Sequence, residues 1–429
     1  MLDLFLFAAV ALACAPILRS LLSRYRKGAE GVSGQPVSEV KCVEKEYAGP
    51  PPFIPSPTPF PSLTAETISS HEARDHLFAN KTIRHPYFQT MAHQPMSPEH
   101  WIEPDHRYLS DLKYKKELVE VQGKVVCDAL PCIVEACGEM MDLLSDWLVK
   151  RYPGMFQWEA GATGKRLHNL ATDTRLSLVD ETTQEPKVGI EALKVVSQLV
   201  QDDFLIAFPS EANDGSWITA GGLVCFPGFY LLSDKIGLSL HDTHNPVPQF
   251  NEKLLKSVER SLTRLQPSAP IERTSWEIVE PEDDLFWAPM AGPLPTRQGR
   301  NGAVAKPMRA CHESGRSEDA CSSEDPSKLL LRLDHQTFVK MPKSGAVFFG
   351  VHPMRRPLSS LAETPLLPAL LLNIHRDGPQ DLMVYKGAPS YEKSVIPYLE
   401  KLNQGQLDSG MIKADEVEQA GRLFRERKR

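Results

Sequence analysis

Apolar positions recur at helical spacing over residues 133–152 (IVEACGEMMDLLSDWLVKRY), which predicts a helix closed by Pro153 and Gly154. The same spacing over 192–200, and over 251–265 with charges on the opposite face, predicts two more. Between these two the period changes. Residues 204–208 and 217–226 are apolar runs rich in aromatic and β-branched side chains, joined by the turn signal ANDGS at 212–216, and read as a hairpin. Residues 271–279, 329–339 and 345–351 have the same strand character, while 358–375 and 391–402 return to helical spacing. Upstream, Ser97 and Pro98 are suited to start a helix. Neither an all-helical protein nor a regular βαβ repeat fits this order, so the expected class is α+β.

The amino-terminal pattern is different. Residues 4–18 (LFLFAAVALACAPIL) are uncharged and apolar, and Arg19, Arg24, Arg26 and Lys27 follow rather than precede them. That polarity predicts a membrane-anchor helix at 1–27, with the rest of the chain on the cytoplasmic side of the endoplasmic reticulum. A cleaved secretory signal is the alternative, although it lacks a basic first segment. Residues 28–80, with GPPPFIPSPTPFP, are expected to be a Pro-rich tether. The folded domain is placed at 81–405 with a flexible insertion at 290–328, and a charged tail at 406–429. The Asn80-Lys81-Thr82 sequon matters only if this domain is lumenal.

Composition narrows the function classes. A net charge of -7 gives no general attraction to phosphate backbones, so nucleic acid is not an expected partner. Eight cysteines without a Cys-x-x-Cys pair suggest reduced thiols, with Cys127, Cys132 and Cys137 as small buried groups. No GxGxxG, GxxxxGK[ST] or GxSxG motif occurs, which removes most nucleotide enzymes and serine hydrolases.

Candidate chemistry concentrates in residues 221–250. Cys225, His241, Asp242 and His244 lie here beside Pro246 and Pro248, which stiffen the loop. A histidine on a proline-fixed loop suits an axial haem ligand, which needs an imidazole aimed at one point and a partner fixing its tautomer. A structural histidine is the alternative from spacing alone. Asp202 and Asp203 adjoin buried chain and read either as a helix cap and salt-bridge partners or as a polar lining near the histidines.

Seven segments in order carry a resemblance: Gln201-Asp202-Asp203, Cys225-Phe226-Pro227-Gly228, Lys235-Ile236-Gly237, Thr243-His244-Asn245-Pro246-Val247-Pro248, Arg273-Thr274-Ser275-Trp276, Arg332-Leu333-Asp334-His335-Gln336-Thr337 and Tyr385-Lys386-Gly387. Over about 86–402 the chain resembles the haem-dependent oxidative N-demethylase-like proteins, which include the fungal HRQ family. The resemblance implies a PAS-like antiparallel sheet flanked by helices and holding haem b, with His244 as the iron ligand. It implies oxidation of a small secondary amine with O2 and release of formaldehyde, with electrons from NAD(P)H through a separate flavin and iron-sulfur reductase.

Arg273 and Arg332 are then candidates to hold the haem propionates, with buried salt bridges as the alternative. Asp202 and Asp203 are the candidate catalytic pair. The pattern departs from the family at Asp202 (Glu there), Gly228 (Ser), Ser275 (Asn), Asp334 (Glu) and His335 (Arg). Loss of the arginine at His335 means that any carboxylate it held needs another partner. A haem sensor and a scaffold without haem are the competing readings.

Overall fold

The computed structural model describes residues 53–159, 164–210, 215–228, 230–279 and 325–426. Among them ten strands occur in chain order: β1 (Gln94–Pro95), β2 (Cys127–Ala129), β3 (Phe156–Trp158), β4 (Arg166–Asn169), β5 (Thr174–Ser177), β6 (Asp203–Pro209), β7 (Trp217–Leu223), β8 (Ile271–Val279), β9 (Leu330–Lys340) and β10 (Val347–Pro357). Seven of them form one antiparallel sheet in the order β1-β8-β9-β10-β6-β7-β2, and β3-β4-β5 form a small second sheet. The helices that bear on the site and the core are α1 (Tyr108–Gln122), α2 (Val134–Arg151), α3 (Gly189–Val196), the short α4 (Leu240–Thr243), α5 (Leu255–Arg264), α6 (Leu367–Asp377), α7 (Glu392–Asp408) and α8 (Ala420–Glu426). The expected α+β class, with helices against a large antiparallel sheet, is what forms.

Strand alternation sorts the central side chains onto two faces. Register pairs Arg273 with Gln336, Ser275 with Asp334 and Glu277 with Arg332, so these share one face with Arg355 and Asp203. Glu272, Thr274, His335 and His352 take the other. Trp217, Leu240, Leu262 and Val347 pack α4 and α5 against the first face. Leu331, Leu333 and Trp276 meet Leu367, Leu370, Ile374 and Leu399 of α6 and α7 on the second.

Several boundaries differ from the sequence reading. The helix expected over 358–375 is interrupted: a 3-10 turn, Leu358–Glu363, precedes α6, because Pro365 excludes a helical Thr364, which is extended at φ -103°, ψ 102°. β7 ends at Leu223, short of Phe226, since the Cys225 and Phe226 amides turn to a side chain. Phe53 onward is packed, with Ile54, Leu63 and Ile68 buried, where a tether was expected to run to residue 80. Ala420 and Phe424 of α8 are buried too, and Phe424 stacks on Phe78 with ring centroids 5.3 Å apart. Cys127 and Cys137 are buried free thiols, as expected, but Cys132 is disulfide-bonded.

Asn80 of the sequon is 4% exposed: its amide donates to the Ser275 carbonyl, and its Oδ1 accepts from the Thr82 and Ile83 amides. The folded chain therefore uses that side chain to anchor β8.

The expected single-pass placement in the endoplasmic reticulum membrane is corrected. Among the described residues no helix is long and apolar enough to cross a membrane. The longest, α2, has 18 residues but carries Glu135, Glu139, Asp142 and Asp146 opposite its buried face. The expected anchor at 1–27, the tether to residue 52 and residues 290–324 of the expected insertion lie outside the described residues.

Candidate functional site

The histidine loop is built by its own short-range bonds. Ser239 caps α4 by accepting from the Asp242 amide at 3.1 Å, and Lys235 Nζ donates to the Thr243 carbonyl at 2.6 Å. His244 follows at the carboxyl end of α4, and its Nδ1 lies 2.8 Å from the Leu240 carbonyl oxygen. The ring stacks on Phe250 with centroids 3.9 Å apart and planes 7° from parallel. A left-handed Gln249 (φ 63°) starts the short helix that presents Phe250. Burial, with the charges of Lys235 and Arg273, takes the His244 pKa down to about 4 against the opposing effect of the Leu240 bond. The imidazole is therefore neutral at pH 7. His241 is exposed, and among the described residues its ring bonds its neighbour Asp242, at 3.1 Å.

Arg273 reaches the same region from β8. It is half-buried, its Nε is buried without a hydrogen-bond partner, and it has no ion pair among the described residues. Burial lowers its pKa. Among the described residues this guanidinium has no anion to match it.

Arg332 is placed differently. It is buried, with Nε 2.8 Å from Asp334 Oδ1 and 3.7 Å from Glu277 Oε1, and it donates through the other nitrogens to the Phe226 and Pro227 carbonyls. Its charge is matched and its donors clamp the turn after β7.

Asp202 and Asp203 do not form one pocket lining, because neighbours in an extended chain point to opposite sides. Asp203 Oδ2 accepts from the Cys225 and Phe226 amides at 2.9 and 2.5 Å, and its Oδ1 lies 3.4 Å from Lys115 Nζ. Those amides are what ends β7. Asp202 Oδ2 instead lies 3.4 Å from His352 Nδ1, and His352 Nε2 is 3.5 Å from Asp105 Oδ2. Both aspartates are buried and engaged in holding chain segments together.

A model of the family described as haem-dependent oxidative N-demethylase, alpha subunit-like, matches residues 92–396. The chain belongs to this family. Haem-dependent oxidoreductase chemistry of the oxygenase type is what the family is named for.

The residues of this N-demethylase-like chain fit a haem. A carbonyl oxygen can only accept, so the proton of His244 is on Nδ1 and Nε2 carries a lone pair that no described residue occupies. Arg273 supplies a cation, unmatched among the described residues, for an anionic group on its sheet face. Arg273 lies close enough for its charge to act on His244, while Arg332, Asp202 and Asp203 are engaged with neighbouring side chains and backbone groups.

Three residues escaped the sequence reading. Phe250 gave no signal beyond ordinary amphipathic spacing. Lys115, fully buried on α1, pairs with Asp203 and was hidden in the lysine-rich stretch 113–116. Glu277 is buried in the turn's lining, and burial raises its pKa. A Cβ added at Gly228 would come within 3.1 Å of its Oε1, so the glycine that departs from the family serine leaves room at this carboxylate. The one available signal was a charged residue at an inward position of a strand.

Proposed function

We propose that this chain is a haem-dependent monooxygenase of the oxidative N-demethylase type, acting on a small amine. The observation that carries the reading is the His244 geometry: a neutral imidazole, its Nδ1 proton fixed on Leu240 and its ring clamped on Phe250, with no partner for Nε2 among the described residues. In this reading His244 is the axial ligand of haem b and Arg273 holds a propionate. When bound, the haem would supply the activation of O2 that oxidises an N-methyl group to formaldehyde. The electrons would come from NAD(P)H through a separate flavin and iron-sulfur reductase. The antiparallel sheet is read as the family's PAS-like scaffold.

The chain's own residues define the rest. Arg332 fixes the Phe226-Pro227 turn, and Asp203 fixes the same turn through the two amides before it. Burial raises the pKa of both Asp203 and Glu277 on this face, and Glu277, beside the space left by Gly228 and only 3.7 Å from Arg332 Nε, is the one read as able to hold and release a proton. Asp202 and Asp203 act as positioning residues rather than substrate contacts.

The test is formaldehyde release. Haem-loaded protein, supplied with NAD(P)H and a flavin and iron-sulfur reductase, is expected to form formaldehyde from secondary N-methylamines. Haem binding without formaldehyde from any such amine would instead place the protein among haem sensors.

A further inference from the structure

We propose that His76, Glu103 and His335 bind a divalent transition-metal ion of the zinc class, on the sheet face opposite Arg273. The proposal does not depend on the haem reading. His76 comes from the short helix His76–Ala79, Glu103 from the segment before α1, and His335 from β9. All three are buried, the two histidines at 1% exposure.

The distances are those of a coordination set. His76 Nε2 lies 3.0 Å and His335 Nδ1 3.3 Å from the same oxygen, Glu103 Oε2, and the three ligand atoms all fall within 4.8 Å of one another. An ion with bonds of about 2.0–2.1 Å holds tetrahedral ligands about 3.3 Å apart. Two imidazoles and one carboxylate suit zinc, cobalt or nickel rather than magnesium or calcium.

The proton position on His335 points the same way, whereas His76, as a ligand through Nε2, must carry its proton on Nδ1, which is buried without a partner among the described residues. His335 Nε2 is 2.9 Å from Glu272 Oε2, and a carboxylate accepts, so that nitrogen carries the proton. Its Nδ1 then faces Glu103 Oε2 with a lone pair, buried and without a hydrogen-bond partner. Two acceptors turned toward each other away from water require a cation between them. Glu272 behind His335 completes the carboxylate–histidine–metal arrangement that orients metal-bound imidazoles.

Arg74 is the opposing consideration. It donates to both Glu103 oxygens, at 2.6 and 2.8 Å, and lies 3.2 Å from Glu272 Oε2. It also replaces the cation lost with the family arginine at 335. Among the described residues one guanidinium stands against two carboxylates, with His100 Nδ1 3.7 Å from Glu272 Oε2, and the Nε bond to Oε1 survives when Oε2 turns to an ion.

The full chain is expressed with zinc supplied, dialysed free of loose metal, and assayed for zinc by mass spectrometry, with folding followed by circular dichroism. Wild type is expected to retain stoichiometric zinc. His335→Arg, which keeps a cation between the carboxylates but removes a ligand, is expected to lose it at least about ten-fold while folding normally. His76→Gln, at a second ligand, is expected to lose it likewise and guards against misfolding of the first variant. Wild type without zinc, or folded variants that retain it, overturns the proposal and leaves a proton as the shared cation.

Discussion

The His244 imidazole donates from Nδ1 to the Leu240 carbonyl one helical turn behind it, at 2.8 Å. That single bond decides which nitrogen faces outward. It places the lone pair on Nε2, and burial, which lowers the pKa to about 4, keeps that nitrogen unprotonated near neutral pH. In the proposed haem site the loop would thereby present its ligand atom before the iron is bound.

The stack on Phe250 should matter for affinity more than for folding when the replacement remains apolar. Phe250→Leu is expected to weaken haem binding by about 1 kcal/mol, or roughly five-fold in Kd, through loss of the parallel ring contact. Haemin titration of both proteins measures this. An unchanged Kd would mean that the ring's orientation does not depend on Phe250.

Arg273 separates a propionate contact from a structural role. Having no anionic partner among the described residues, it should leave folding stability nearly unchanged when replaced by Gln. Haem affinity should fall by about ten-fold or more, the loss of a charge-assisted bond worth about 1.5–3 kcal/mol. Transfer of haem to a competing apo-globin gives the ratio, and urea unfolding gives the stability.

Arg332 should behave in the opposite way. Arg332→Met leaves Asp334 and Glu277 buried beside each other without their cation and frees the Phe226 carbonyl. A loss of about 3–5 kcal/mol of stability is expected. Denaturant unfolding tests it, and a variant as stable as wild type would show that the clamp is dispensable.

His352 sets a pH dependence. Burial alone would lower its pKa, but the Asp105 and Asp202 carboxylates raise it to about 10. The folded value lies above the unfolded one, so its stabilisation is complete below about pH 6.5 and is lost as pH rises toward 10. Wild type should lose stability by several kcal/mol across that window, and His352→Gln should show a flatter profile. Parallel profiles for the two proteins would contradict the ion pairing.

The strands were legible because Val, Ile, Phe and Trp alternate or run together at β8, β6 and β10, and α2 because its apolar residues keep the helical period. The break before α6 was missed although Pro365 signals it. The end of β7 could not be read locally, since it is decided by Asp203, on a different strand. The His244 loop stood out through its prolines and histidines. The buried ion network did not: Arg74 and Glu272 are 198 residues apart, and no spacing rule joins them. Polar residues at the inward positions of β8 and β9, Glu272, Thr274, His335 and Thr337, were the trace it left in the sequence.

The central claim is that His244 carries the iron. Haemin titration of the full-length protein, read in the Soret region, tests it most directly. Wild type is expected to give a saturable Soret band, and His244→Ala to lose that band or shift its position. A His244→Ala protein that binds haem with the same band position and the same affinity as wild type would contradict the account.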